Sequence, residues 1–196
     1  SHLIGRWNHI LIDEYQDIDE RQYDFVSAIA GRLVKEDEKG RKTKLSVLAV
    51  GDDDQNIYRF RGTSTHFIKR FREDYDAEVF HLLENYRSSR NVIFASNHLV
   101  AQNRDRMKHD DPIRIDAQRE GCPAGGRWEE IDPVNEGLVR IMEIPGIRSQ
   151  PGCALAEIER LRALSPDDFR WEDVAILGRT RSQLTPIRAI LEENGV

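Results

Sequence analysis

Two short apolar runs, each ending in acids, restrict this chain more than any other feature. His9-Ile10-Leu11-Ile12 runs into Asp13-Glu14, and Leu45-Ser46-Val47-Leu48-Ala49-Val50 runs into Gly51-Asp52-Asp53-Asp54-Gln55. Each run has the length and branching of a buried strand. Between them, Asp19 can cap a helix over residues 20–34 with Phe25, Val26, Ile29 and Leu33 at helical spacing. Lys35 to Lys44 is polar and reads as a solvated loop. Strand, helix, strand in that order predicts a parallel pair joined by a crossover, with both acidic tips at one edge of the sheet.

The alternation continues. Thr63 or Ser64 can cap a helix carrying Phe67, Ile68 and Phe71, and Glu78 to Leu83 reads as a third strand. Asn85-Tyr86-Arg87-Ser88-Ser89 opens a long helix with Val92, Phe94, Leu99 and Val100. Residues from about 104 to 136 are polar and rich in Gly and Pro, and read as a loop-rich stretch with a minor strand near Ile113–Ile115. Further strands are expected at Leu138–Ile144 and Val174–Leu177. Helices are expected through Leu155, Ile158, Leu161 and Leu164, and from Pro186 to Asn194, stopped by Gly195. The expected fold class is α/β with parallel sheets, and a break between two sheets falls near residue 84.

Ligands of open α/β sheets sit at the carboxyl ends of the strands, where this chain concentrates its acids. Adjacent Asp13 and Glu14 can divide two tasks, one holding a metal and the other taking a proton from an attacking water. An acidic corner of this kind suits Mg²⁺, which prefers carboxylates together with substrate phosphates. An isolated Asp-Glu after a strand is more often a solvated turn; two such tips in one chain weaken that reading. The loop then turns at once to Ile57-Tyr58-Arg59-Phe60-Arg61. Aromatics interleaved with arginines suit stacking on single-stranded bases, and a hydrophobic plug beneath the loop is the competing reading. The net charge of −6 argues against nucleic-acid binding by bulk charge but leaves room for a local basic groove. No stretch approaches the roughly 20 apolar residues of a membrane span. Cys122 and Cys153 make neither a metal-ligand pattern nor a disulfide framework.

Three motifs carry a family resemblance. Leu11-Ile12-Asp13-Glu14-Tyr15-Gln16-Asp17 resembles the Walker B motif of superfamily 1 helicases of the UvrD/Rep type. Val50 to Gly62 (VGDDDQNIYRFRG) resembles the next motif of that family, and Leu83-Glu84-Asn85-Tyr86-Arg87-Ser88-Ser89 resembles the one opening its second RecA-like domain. The resemblance implies a RecA-like, P-loop NTPase-type core with parts of two tandem domains. Residues 1–84 would be the C-terminal part of the first, and 85–196 the N-terminal part of the second. It implies ATP and Mg²⁺ as cofactors, single-stranded DNA or a single-strand/duplex junction as partner, 3′-to-5′ movement and a cytoplasmic, prokaryotic-type setting. Asp13 would contact Mg²⁺ and Glu14 would activate the hydrolytic water. Gln55 would sense the γ-phosphate, Tyr86 would stack on adenine, and Arg87 would reach the γ-phosphate across the domain cleft. Tyr58, Phe60 and Arg61 would face DNA. Asn56 stands where the family usually has Ser, and Phe60 where many members carry Trp.

No G-x-x-x-x-G-K-[ST] occurs in the 196 residues. That loop supplies the backbone cradle and the lysine for the phosphates. The resemblance therefore covers the middle of a helicase, and the isolated chain is expected not to hydrolyse ATP at a useful rate without the remaining N- and C-terminal parts of the same protein. Two other readings stay open: a non-catalytic, helicase-like interaction module, and part of a RecB-like helicase–nuclease. A dehalogenase-type phosphatase is excluded by pattern, because Asp13 is followed by Glu14 and Tyr15 rather than by the second Asp of an Asp-x-Asp nucleophile.

Overall fold

The computed structural model describes residues 9–30, 45–58, 60, 62–103 and 106–196. The chain divides into two compact units, Ser1–Leu83 with Val100–Pro112, and Glu84–Leu99 with Ile113–Val196.

In the first unit, β1 (His9–Ile12) pairs in parallel with β2 (Ser46–Ala49), Ile12 standing opposite Ala49. The register puts both acidic tips at one edge, as the crossover requires. α1 (Glu20–Ala30) and α2 (His66–Tyr75) accompany the pair. The core is aromatic: Tyr15, Ile18, Tyr23, Phe67 and Phe71 are buried together, with Ile12, Val26, Val47, Ala49 and Ile68 packed around them. Tyr15 meets Phe71 edge-on at 5.2 Å, and Tyr23 stacks on Phe67 at 5.3 Å. Such pairs add about 0.5–1.5 kcal/mol each beyond burial. The Tyr23 hydroxyl donates to Asp74, and the Arg70 guanidinium lies 4.6 Å from the centre of the Tyr23 ring.

Tyr23 rather than Phe25 anchors α1; Phe25 lies on the outer face, 66% exposed. Of the two residues expected to cap α2, Ser64 is the one that bonds the helix start. Ser64 Oγ accepts the His66 amide, whereas Thr63 is buried and bonds Asn56. Leu11 and Leu48, directly opposite one another in the register, are 76% and 55% exposed, so one face of the strand pair is apolar and uncovered.

In the second unit, β3 (Glu84–Asn85) pairs in parallel with β4 (Arg114–Ile115). α3 (Arg90–Val100) buries Ile93, while Val92, Phe94 and Leu99 face outward. α4 (Trp128–Ile131) is one turn long. α5 (Gln150–Leu164) and α6 (Arg181–Glu193) pack on each other and bury Ile158 and Ile187. α6 starts five residues before Pro186, because Thr180 and Gln183 form a capping box.

Residues 106–136 hold more structure than a loop. Arg160 donates to Asp132 at 2.7 Å, and Asp132 also accepts the amides of Val134 and Asn135. The glycines of the CPAGG run have a steric reason: a Cβ on Gly125 would collide with the Glu136 carbonyl, and one on Gly137 with the Gly125 carbonyl. Glu78–Leu83, Leu138–Ile144 and Val174–Leu177 have no ladder partner among the described residues and are not strands. Ile141 and Leu177 there are 98% and 93% exposed.

Candidate functional site

The tips of β1 and β2 are joined by backbone and by one buried side chain. The Val50 amide donates to the Ile12 carbonyl at 2.8 Å, and the Tyr15 amide donates to the Val50 carbonyl at 2.9 Å. The chain then turns sharply. Glu14 adopts φ 51°, in the left-handed region, and residues 15–17 make one 3-10 turn. A non-glycine residue there costs on the order of 1 kcal/mol, and such strain gathers at functional sites. The turn leaves the Asp13 and Glu14 carboxylates exposed and drives Gln16 inward, to 2% exposure.

Gln16 is the hub that the sequence reading missed. Its amide nitrogen donates to Glu14 Oε2 at 2.6 Å, and its amide oxygen accepts the Asp52 N–H at 3.0 Å. Its backbone carbonyl accepts from the Asn56 side chain, which also donates to Thr63 Oγ1 at 3.1 Å. One glutamine thus ties the β1 tip to both ends of the 52–56 loop. Gly51 makes room for it: a Cβ there would lie 2.9 Å from Gln16 Oε1 and 3.1 Å from the Gln16 backbone nitrogen. Asn56, standing where the family usually has Ser, is a structural member of this joint.

The loop is closed on itself by Asp52. Its carboxylate accepts the Asp54 amide at 3.1 Å and the Gln55 side-chain amide at 2.8 Å. Burial pushes the Asp52 carboxyl up, but hydrogen bonds from Lys108 and Gln55 outweigh it and hold the group below its usual range. Asp52, Asp53 and Asp54 bring one oxygen each within 4.8 Å of one another. Asp13, expected to share an acidic corner with them, is not part of this group. Residues 106–108 take them instead. Arg106 donates to both oxygens of Asp54, each at 2.7 Å; the Met107 amide donates to Asp53 Oδ2 at 2.7 Å; Lys108 Nζ donates to Asp52 Oδ1 at 2.6 Å. Nothing local in the sequence marks 106–108 as partners of a loop 52 to 56 residues earlier.

Past Gln55 the loop becomes apolar and outward. Tyr58 is 38% and Phe60 79% exposed, their ring centres 6.2 Å apart. That exposure is the opposite of a buried plug. Arg61 lies outside the described residues.

In the second unit, the Asn85 side chain accepts the amides of Arg87 and Ser88 at 2.9 and 2.7 Å, an Asx turn that lifts Tyr86 and Arg87 into solvent. Tyr86 is 70% exposed, and its hydroxyl donates to Glu84 at 2.7 Å, which raises its pKa. Arg119 braces the turn from below. It pairs with buried Asp116 and donates to the carbonyls of Asn85 and Ser88.

Comparison with known proteins adds an independent line. Residues 1–76 match the UvrD/REP helicase N-terminal domain. The chain is 39% identical over 102 residues to DNA helicase II of Haemophilus influenzae, covering 52% of this chain and 12% of that protein. It is 38% identical over 108 residues to DNA helicase II of Escherichia coli, covering 55% of this chain and 14% of that protein. It is 36% identical over 179 residues to the putative ATP-dependent DNA helicase YjcD of Bacillus subtilis, covering 91% of this chain and 19% of that protein. The family match over residues 1–76 includes both motifs of the first unit, and the chain is similar in sequence to UvrD/Rep-type helicases, spanning between 12% and 19% of the length of these relatives.

Proposed function

We propose that this chain is the coupling segment of an ATP-dependent DNA helicase or translocase, linking a nucleotide site to a single-stranded DNA site. In this reading residues 1–84 belong to a first RecA-like domain and 85–196 to a second. The single observation that carries it is the Gln16 joint, which connects Glu14 to the loop bearing Gln55 and Phe60. Glu14 takes a proton from the attacking water, and Gln55 senses the γ-phosphate. Tyr86, exposed above its Asx turn, stacks on adenine, and Arg87 stabilises charge on the transferring phosphoryl group. Tyr58, Phe60 and Arg61 stack on and neutralise a DNA single strand, a contact worth about 1–3 kcal/mol per stacked base and indifferent to sequence.

Asp13 is the residue to hold Mg²⁺. It and Glu14 offer exposed carboxylates at the β1 tip, and among the described residues neither forms an ion pair, a donor set that fits a cation taking carboxylates plus substrate phosphates. When bound, Mg²⁺ supplies charge neutralisation at the phosphates. The uncovered apolar face at Leu11 and Leu48 favours a larger protein in which further elements cover the sheet, since parallel sheets are buried on both faces. No described helix is long and apolar enough to cross a membrane.

Fluorescence anisotropy with a labelled oligothymidylate tests the DNA end. The expected result is weak binding that falls with added salt and is reduced by Phe60→Ala and by Arg61→Ala. Binding unchanged by both substitutions would remove this face from the DNA site.

A further inference from the structure

The three adjacent acids of the 52–54 loop have no role in the proposed chemistry, yet each accepts a hydrogen bond from residues 106–108. Asp54 and Arg106 form a two-pronged pair with side chains only 9% and 7% exposed; Asp52 and Lys108 are 20% and 11% exposed. Lys108 Nζ also stands 3.9 Å from Asp54 Oδ2, so the two cations and the Asp52 and Asp54 carboxylates make one lattice. Two-pronged arginine–carboxylate geometry fixes orientation as well as contributing energy. Removing one partner of such a shielded pair leaves an uncompensated charge, which is strongly destabilising locally.

The lattice acts on Gln55. The carboxylate that receives Lys108 also receives the Gln55 side-chain amide on its other oxygen. The Asp54 amide donates to Asp52 Oδ1, and the Gln55 amide to the Asp52 carbonyl. The loop conformation and the Gln55 rotamer therefore hang on groups that Arg106, Met107 and Lys108 hold. Those residues lie in Val100–Pro112, a run of the first unit that chain connectivity places directly after α3 and before β4 of the second.

We propose that Arg106 and Lys108 are positioning residues: they clamp the 52–55 loop and set the orientation of Gln55, so that the run between α3 and β4 controls the coupling element. The clamp contacts neither nucleotide nor DNA. Its link to turnover rests on the function proposed above; the clamp itself does not.

Amide hydrogen exchange on the 196-residue chain tests it, with DNA binding as a second arm. Arg106→Asp should speed exchange at Asp54 and Gln55 about tenfold or more while the α1 amides keep wild-type rates. The exchanged pair Asp54→Arg with Arg106→Asp should restore slow loop exchange. Should Arg106→Asp lose its far-ultraviolet circular dichroism, Arg106→Gln serves the same comparison. In the second arm Arg106→Asp weakens oligothymidylate binding and the exchanged pair recovers it. Unchanged loop exchange in the single variants overturns the clamp. So does exchange that rises equally throughout the first unit, or that the exchanged pair fails to restore. Restored loop exchange without restored DNA binding assigns Arg106 to direct DNA contact and overturns its role as a purely positioning residue. Absence of DNA binding by the wild type, with the exchange results as expected, counts against the proposed function and leaves the clamp standing.

Discussion

Replacing Gly51 by alanine is the sharpest perturbation of the joint. The added Cβ would lie 2.9 Å from Gln16 Oε1, 3.1 Å from the Gln16 nitrogen and 3.2 Å from the Tyr15 nitrogen. Two of these are backbone atoms at the β1 tip, and the Tyr15 nitrogen is already bonded to the Val50 carbonyl. The third belongs to a side chain that is 2% exposed and bonded at both ends. Either the backbone moves, at an overpacking cost of about 1–3 kcal/mol, or Gln16 swings away and two hydrogen bonds are lost, at about 0.5–1.5 kcal/mol each. Both routes lead to a loss of roughly 1–3 kcal/mol, a sizeable part of a typical domain's 5–15 kcal/mol. Urea denaturation followed by near-ultraviolet circular dichroism of the Tyr15, Tyr23, Phe67 and Phe71 cluster reads it. Gly121→Ala is the control, because a Cβ there meets nothing within 4 Å. If Gly51→Ala is no more destabilising than Gly121→Ala, within about 0.5 kcal/mol, the joint is not tight and the reasoning fails.

Other outcomes follow from the same geometry. Gln16→Ala should cost about 1–3 kcal/mol by stripping Glu14 of its donor and the Asp52 amide of its acceptor; a neutral result in the same urea assay would show that water replaces the hub. Acid should destabilise the chain. Asp116 is held below the usual carboxylate range by Arg119, and Asp132 and Glu157 by Arg160; in Asp52 Lys108 and Gln55 overcome the upward push of burial. Each carboxyl is depressed by folding, so its contribution is complete above about pH 4 and is lost as pH falls through the folded values; a urea midpoint at pH 3 equal to that at pH 7 would contradict this. The purified chain should show no DNA-stimulated ATPase above background, since no G-x-x-x-x-G-K-[ST] is present; turnover that Glu14→Gln abolishes would overturn that expectation.

Local pattern carried the β1–α1–β2 arrangement well. Apolar runs of strand length, an amphipathic helix and acids at the tips are all readable within a few residues of one another. The failures share a physical cause. Glu78–Leu83, Leu138–Ile144 and Val174–Leu177 have strand-like composition, but a strand exists only through a neighbour's ladder, which no local window supplies. Helical spacing of apolar residues picks out Phe25 on α1, whereas the buried anchor is Tyr23, whose hydroxyl finds Asp74 and so buries at little cost. The candidate site divided the same way. Asp13, Glu14, Gln55 and Phe60 stand out as candidates because motif spacing marks them. Gln16 sat unremarked inside a motif, because its partner Asp52 is 36 residues away. Arg106, Lys108 and Arg119 came from a stretch that composition marks only as polar loop.

The central claim is that the loop from Gln55 to Phe60 joins a DNA-facing end to a nucleotide-facing end through Gln16. Titrating oligothymidylate into isotopically labelled chain and following amide and side-chain resonances tests it directly. The account predicts saturable shifts at Tyr58 and Phe60, with the Gln55 and Gln16 side-chain amides shifting at the same midpoint, all lost in Phe60→Ala. Shifts confined to the second unit, or shifts at Phe60 that never reach Gln55 and Gln16, would contradict it.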